Sequence, residues 1–277
     1  MKEECNRLFV AYKPTGLSSN KFLGQIKRKY NVKKAGFSGT LDPFAKGVLI
    51  IAFGQFTKLF RFLNKKKKSY RATLWIGATS ATLDTERIEK VENIMPFAPD
   101  SLAIITKSMC GEIEYLPPKF CAKKIDGKRA YTLARSGIDF ELNKIKSTIY
   151  DFKILHYMHP FLTFEISISE GGYIRSMGAI IASKFGFDGA LSSLERLSEG
   201  NFVYENEREL NPLDFIALQE NYYLGDISDI ELGRKLSVND FEHKSDGIYK
   251  LVHLDELSVL EIKEEEVKYL LNKVKLC

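Results

Sequence analysis

The segment AGFSGTLDPFAKGVLIIAFG, Ala35 to Gly54, holds one carboxylate, Asp42, between a Gly-Thr turn and a proline, directly ahead of an apolar run. Asp-Pro is turn chemistry, because the Asp side chain bonds nearby amides and proline fixes φ. The neighbours ask more of it. Gly36, Gly39 and Gly47 allow a flat ligand close to the backbone, and a buried strand over Val48–Phe53 anchors the loop. KRKYNVKKAG (Lys27–Gly36) precedes the segment and KKKKSY (Lys65–Tyr70) follows it. A fixed carboxylate flanked by positive charge suits a nucleophile or a base.

Other chemistries have less to stand on. Cys5, Cys110, Cys121 and Cys277 are scattered without a CxxC pair and read as reduced structural thiols. His156, His159, His243 and His253 have no partners at ligand spacing, so no metal is expected. No Rossmann or P-loop glycine pattern and no internal repeat is present, and no cofactor is expected. A sugar hydrolase normally pairs two carboxyl groups, and no second acidic motif accompanies Asp42.

These residues need a scaffold, and 277 residues, 44% hydrophobic and 28% charged, suffice for a soluble chain with a sizeable core. No apolar run reaches the roughly 20 residues that span a bilayer. The polar start MKEECNR lacks a signal-peptide core. A cytoplasmic protein without a membrane partner is expected. The net charge of +5 decides little by itself. Its distribution says more: with KFCAKKIDGKRAY (Lys119–Tyr131), three basic clusters lie around one aspartate; each alone reads as a solvated surface, but interleaved with aromatics and brought together by folding they suit an RNA backbone.

RLFVAYKPTGLSS reads as a strand, a Pro-Gly break and a Ser18 or Ser19 cap for a basic helix over Asn20–Lys29. GVLIIAFG is a buried strand, KLFRFLN a short amphipathic helix, and SYRATLWIGATSAT an alternating strand. Strands are expected over Ser147–His156 and Leu162–Ser169. In YIRSMGAIIASKFG, Ile174, Met177, Ile180, Ile181 and Phe185 keep helical spacing and Gly186 ends the helix. No strand-helix-strand repeat appears, so the class is α+β with a mixed, mostly antiparallel sheet flanked by helices. A boundary follows Asn211–Gln219, giving units of residues 1–220 and 221–277. In the second, DGIYKLVHLDELSVLEI makes two strands and KEEEVKYLLNKVK a charged helix or a last strand. Some 55 residues bury little apolar area alone, so this unit is expected to rest on the main body.

GTLDPFAKGVL resembles the catalytic motif of the pseudouridine synthases, in the branch acting on a T-loop uridine of tRNA, the tRNA pseudouridine synthase B family. AYKPTGLSS, KSYRATLWIGATS, LPPKFCAKKIDGKRAYTLARSG and SEGGYIRSMGAIIASKFG with LSSLERLSEGNF resemble further segments of that family in the same order, over roughly residues 8 to 203. The resemblance implies the pseudouridine synthase fold with a small C-terminal β-rich, PUA-like RNA-binding module. It makes Asp42 the nucleophile, Tyr70 the aromatic residue against the target uracil, Arg175 the partner of the aspartate and Leu194 part of the base pocket. Tyr173 matches the same motif as Arg175 and supports it or the base.

Isomerising uridine means breaking the C1′–N1 bond, turning the base and joining C1′ to C5. A carboxylate assists by attacking the sugar or the uracil ring, and residue types leave that choice open. The uridine must be flipped out of its stack. Where the family usually has a histidine, this chain has Phe37, expected to fill the gap by stacking. Where it often has two aspartates, this chain has Ala81 and Asp84, and Asp84 reads as a turn residue. Lys13, Lys128 and Arg129 are counted with the substrate-binding residues, the last two carried by an Asp126-Gly127 hairpin. The partner implied is the T-arm of tRNA, met by a monomer. The alternative is a non-catalytic tRNA-binding or folding protein that uses the same basic surface and has no need of Asp42, Tyr70 and Arg175 together.

Overall fold

The computed structural model describes residues 6–276; Cys5 and Cys277 lie outside them. Strand β1 (Arg7–Lys13) runs through the Pro-Thr-Gly turn into α1 (Ser19–Lys29), capped by the Ser18 hydroxyl, which accepts from the Lys21 N–H at 3.3 Å. β2 (Ala35–Ser38), β3 (Lys46–Phe53) and β4 (Lys67–Ile76) follow, then a ribbon of β5 (Ala78–Ser80) and β6 (Ile88–Val91). Next come α2 (Pro99–Ser108), β7 (Gly111–Tyr115), the hairpin β8 (Lys124–Ile125) and β9 (Lys128–Arg129), and α3 (Ala130–Arg135). The long hairpin β10 (Ile145–Met158) and β11 (Phe161–Ser169), helix α4 (Ile174–Lys184) and β12 (Gly189–Glu199) complete the body. The last stretch holds β13 (Gln219–Glu220), α5 (Ile227–Glu231), β14 (Gly247–His253), β15 (Glu256–Lys263) and β16 (Glu266–Lys275).

Eight strands form the main sheet in the order β1-β3-β12-β4-β11-β10-β7, with β2 also on β3. Every pairing is antiparallel except β12 with β3, which meet in parallel at Glu195, Arg196 and Lys46, Gly47. β4 alternates cleanly, sending Lys68, Tyr70, Ala72, Leu74 and Ile76 to the covered face, where α4 supplies Ile174, Met177 and Ile181. β3 is buried on both faces, which is why it reads as an unbroken apolar run. Leu49, Ile51 and Phe53 meet α1 on one side. On the other, Val48, Ile50 and Ala52 join Leu257, Val259, Leu271 and Val274 of the C-terminal sheet in a single core. That small sheet, β13-β14-β15-β16, is therefore cemented to the body by shared apolar surface.

The segment read as a short amphipathic helix, Lys58–Asn64, lies partly within a 3₁₀ helix that starts earlier and spans Gly54–Arg61, where Phe56 and Leu59 bury at the three-residue spacing of that helix. Of the two readings of KEEEVKYLLNKVK, a charged helix or a last strand, the structure has the strand: β16 pairs with the edge of β15 from Glu266 to Lys275. Among the described residues, no helix is long and apolar enough to cross a membrane.

Candidate active site

Asp42 opens a turn closed by the Ala45 N–H donating to the Asp42 carbonyl at 3.1 Å, with Pro43 at the position where its fixed φ is favoured. The Pro-Thr-Gly loop grips this turn. The Ser19 hydroxyl accepts from the Leu41 N–H at 2.9 Å and donates to the Leu41 carbonyl at 3.1 Å. The Gly16 N–H donates to the Pro43 carbonyl at 2.8 Å. Lys13, 0% exposed, gives its three protons to the carbonyls of Pro14 (2.9 Å), Leu17 (2.7 Å) and Ala45 (2.6 Å). This corrects the reading of Lys13 as substrate-binding: no donor is left for RNA, and the side chain ties strand β1 to the turn. Burial lowers the ammonium to about 8, against the pull of the Asp42 charge.

Arg175, in the first turn of α4 and 4% exposed, sets its Nε 2.9 Å from Asp42 Oδ2. Its other nitrogens are spoken for: Nη1 donates to the Thr82 carbonyl and Nη2 to the Phe120 carbonyl, each at 2.8 Å, and Nη1 lies 3.6 Å from Asp84 Oδ2. The planar fork of a guanidinium is suited to four acceptors at once. Asp84 does cap a turn, accepting from the Glu86 N–H at 3.0 Å, and takes the Thr82 hydroxyl at 2.5 Å, yet it is also the second carboxylate of the arginine. Sequence reasoning gave it only the turn. The Asp42 side chain keeps 36% of its surface open, but onto a walled cavity rather than bulk water. Desolvation there pushes its carboxyl above the usual range, Arg175 pulls it down by charge and hydrogen bond, and the Asp84 charge pushes it up.

Two cavities meet at this pair. The first, about 280 Å³, has Asp42, Tyr70, Tyr173, Arg175 and Leu194 on its walls, so the residues named for base recognition and chemistry converge on one space. Tyr70 is 7% exposed and Leu194 6%, their sides forming apolar walls that suit a flat ring. The Tyr173 phenol is raised by burial and by its neighbour Cys121, which keeps it protonated. The second cavity, about 380 Å³, opens on the far side of Asp42 and is lined by Phe37, Arg129, Tyr131 and Arg135. Phe37 is half-buried, its ring resting partly on the α1 core. Asp126 and Gly127 both take positive φ, 46° and 81°, as a tight hairpin requires, and leave Lys128 and Arg129 exposed. Lys128 lines neither cavity.

The basic clusters divide on folding. Lys33, Lys34, Lys66 and Lys67 are exposed, whereas strand alternation turns Lys68 inward and Lys65 donates to the Ser38 hydroxyl at 2.8 Å. Lys65 to Lys68 is thus half surface and half scaffold. Cys121 also lines both cavities, a position that a scattered cysteine count had no means to indicate.

Comparison with known proteins finds relatives along almost the whole chain. The family model described as TruB family pseudouridylate synthase (N terminal domain) matches residues 27–174. A tRNA pseudouridine synthase B of Campylobacter curvus (strain 525.92) is 54% identical over 272 residues, 98% of this chain and 100% of its own. One from Sulfurimonas denitrificans (strain ATCC 33889 / DSM 1251) is 55% identical over 270 residues, 97% and 99% of the two chains. Among solved structures, a chain of an H/ACA RNP bound to a substrate RNA containing 2′-deoxyuridine shares the fold, with a TM-score of 0.65 at 18% identity over 98% of this chain and 84% of that one. With matches of this identity running almost end to end, the chain belongs to the TruB family of pseudouridylate synthases.

Proposed function

We infer that this chain isomerises uridine to pseudouridine in tRNA, with Asp42 as nucleophile and a T-loop uridine as its target. The observation that carries the site assignment is the ionic contact of Asp42 with Arg175 at the wall of a cavity shared with Tyr70 and Leu194. The flipped uracil lies against Tyr70 and Leu194, and its sugar faces Asp42. An ionised Asp42 serves either route: attack at C1′ expels the uracil anion through N1, or addition to the ring is followed by cleavage of C1′–N1. The base then turns and C5 bonds to C1′; the Asp42 carboxylate is released, from C1′ as that bond forms or from the ring by elimination, and the C5 proton is lost to solvent. Arg175 keeps the carboxylate charged and aimed, and Asp84 and the two carbonyls hold Arg175. One chain contains every group named, which supports a monomer, and a tRNA substrate is in keeping with action in the cytoplasm.

The test uses a tRNA transcript tritiated at C5 of uridine. Wild-type protein is expected to release tritium in step with pseudouridine formation in the T-loop; tRNA binding without release would overturn the reading. Phe37→Ala is expected to weaken binding of the open loop by about 1–3 kcal/mol, the worth of one stacked base. Titration of the variant with T-arm RNA checks this, and an unchanged affinity removes Phe37 from the interface.

Phosphate contacts are placed on the body. Residues 221–277 carry eight Lys and Arg against twelve Asp and Glu, leaving the positive excess to the first 220 residues. That balance lends no support to phosphate contacts from the C-terminal module, whose expected role is RNA binding, and its apolar face braces the body. Lys128→Ala and Arg129→Ala are each expected to cut the slope of log affinity against log salt by about one, uniformly across tRNA species. Filter binding over a salt series reads this directly.

A further inference from the structure

Arg196 stands beside the Asp42 loop and takes part in none of the steps above. It is 1% exposed, and its Nε donates to the Val48 carbonyl at 2.8 Å while Nη2 donates to the Gly39 carbonyl at 2.9 Å. Those two carbonyls lie on either side of Asp42 in the chain, one before the turn and one after it. The main chain of Arg196 also fits against Gly47, where an added Cβ would come 2.2 Å from the Arg196 carbonyl oxygen. Both ends of the loop are therefore fastened to one residue of β12.

The charge of Arg196 is balanced in the interior. Its Nη2 is 3.4 Å from Glu199 Oε2, and Lys68 Nζ is 3.1 Å from Glu199 Oε1. Glu199 is 0% exposed and neither of its oxygens makes a hydrogen bond, so the carboxylate is held by its ion pairs with Arg196 and Lys68. Gly39, at φ +69°, lies directly over it: a Cβ there would sit 2.8 Å from Glu199 Oε2. Residues three apart on a strand normally face opposite ways. Here the register shift between Arg196 and Ser198 inserts one residue, so that Arg196 faces Tyr70, Glu199 faces Lys68, and all four share the cavity side of the sheet.

We propose that Arg196, with the buried Glu199 as its counter-charge and Lys68 as the second cation on that carboxylate, is a positioning residue that fixes the Asp42 loop at its reacting distance from Arg175. The proposal rests on the reading of Asp42 as the reacting group. A charge cluster that only stabilised the fold would have no reason to bond both flanks of one loop, and a residue that held RNA would not spend its donors on carbonyls.

The experiment compares full-length Arg196→Lys and Glu199→Gln with wild type, measuring kcat, KM and hydrogen exchange with the tritiated tRNA transcript as substrate. Lysine keeps the charge and loses the fork, so kcat is expected to fall about a hundredfold, the effect of a displacement near 1 Å, with KM little changed. Exchange is expected to quicken at the amides of Gly39–Ala45 while those of β3 stay protected. The glutamine variant keeps the shape of Glu199 and is expected to show the same split to a smaller degree, which decides the matter if Arg196→Lys does not fold. An unchanged kcat, a raised KM at constant kcat, or loss of protection across the whole sheet would overturn the proposal. A wild-type protein that releases no tritium counts against the function and leaves these exchange patterns still readable.

Discussion

Asp42→Asn is expected to lower kcat by about 10⁴-fold or more, on the scale seen when an enzyme loses its nucleophile, while tRNA affinity stays close to wild type. The amide keeps the shape of the side chain and every backbone tie of the loop, so the cavity should still accept a base. The same substitution is expected not to reduce thermal stability at neutral pH and to raise it. The sign follows from the direction of the shift. Burial raises the Asp42 carboxyl above its unfolded value, so the folded protein holds that proton more tightly than the unfolded chain does. Stability from this group is fully present below the unfolded carboxylate pKa and is lost as pH rises through the higher folded value. At neutral pH the ionised carboxylate is a cost that Arg175 only partly offsets, and asparagine removes it. Thermal unfolding of both proteins from pH 4 to pH 8 checks this: the advantage of the variant should grow with pH. A variant that melts earlier than wild type would make Asp42 a structural ion-pair partner.

Arg175→Met should damage both chemistry and fold, for a different reason. It strands Asp42 and Asp84 in one buried space with the Thr82 and Phe120 carbonyls unpaired. Removing one member of a buried ion pair costs about 3–5 kcal/mol. A fall in kcat of about 10²–10³-fold is expected from the lost electrostatic support. The pH profile separates the two effects. Without the arginine, Asp42 loses the stronger of the two cations that lower its pKa and keeps burial and the Asp84 charge, which raise it, so the acid limb of kcat/KM should move to higher pH. Asp84→Asn, which removes a repulsive charge, should move the same limb to lower pH. Limbs that move together, or not at all, would separate Arg175 from the ionisation of Asp42.

The parts of this site that were legible in the sequence are local. Asp42, its glycines and the strand behind it sit within twenty residues, and Arg175 starts a helix whose apolar spacing is plain. Tyr70 lies on a strand of clean alternation, so its inward face follows from the pattern. What escaped is what depends on register. β12 carries two irregularities, one between Leu191 and Ser193 and one between Arg196 and Ser198. They bring Leu191, Leu194, Arg196 and Glu199 to one face, a spacing that no period of two or of 3.6 contains. Lys13 and Lys68 look like surface lysines because composition cannot tell an ammonium in water from one surrounded by carbonyls or paired with a buried carboxylate. Asp84 was half read, since an aspartate that caps a turn shows nothing locally of an arginine 91 positions further along.

The shared core of β1, β3 and the C-terminal sheet gives strand β16 unusual genetic weight. Val274 is 0% exposed and Leu271 6%, the Asn6 side chain donates to the Lys275 carbonyl at 2.7 Å, and Arg61 donates to the carbonyl of Leu270. A stop codon ahead of Glu266 removes the edge strand β16, whose Leu271 and Val274 belong to the core that backs Val48 and Ile50, beneath the loop of Asp42. Nonsense changes that delete β16 should therefore inactivate the protein as surely as a change at the codon for the nucleophile.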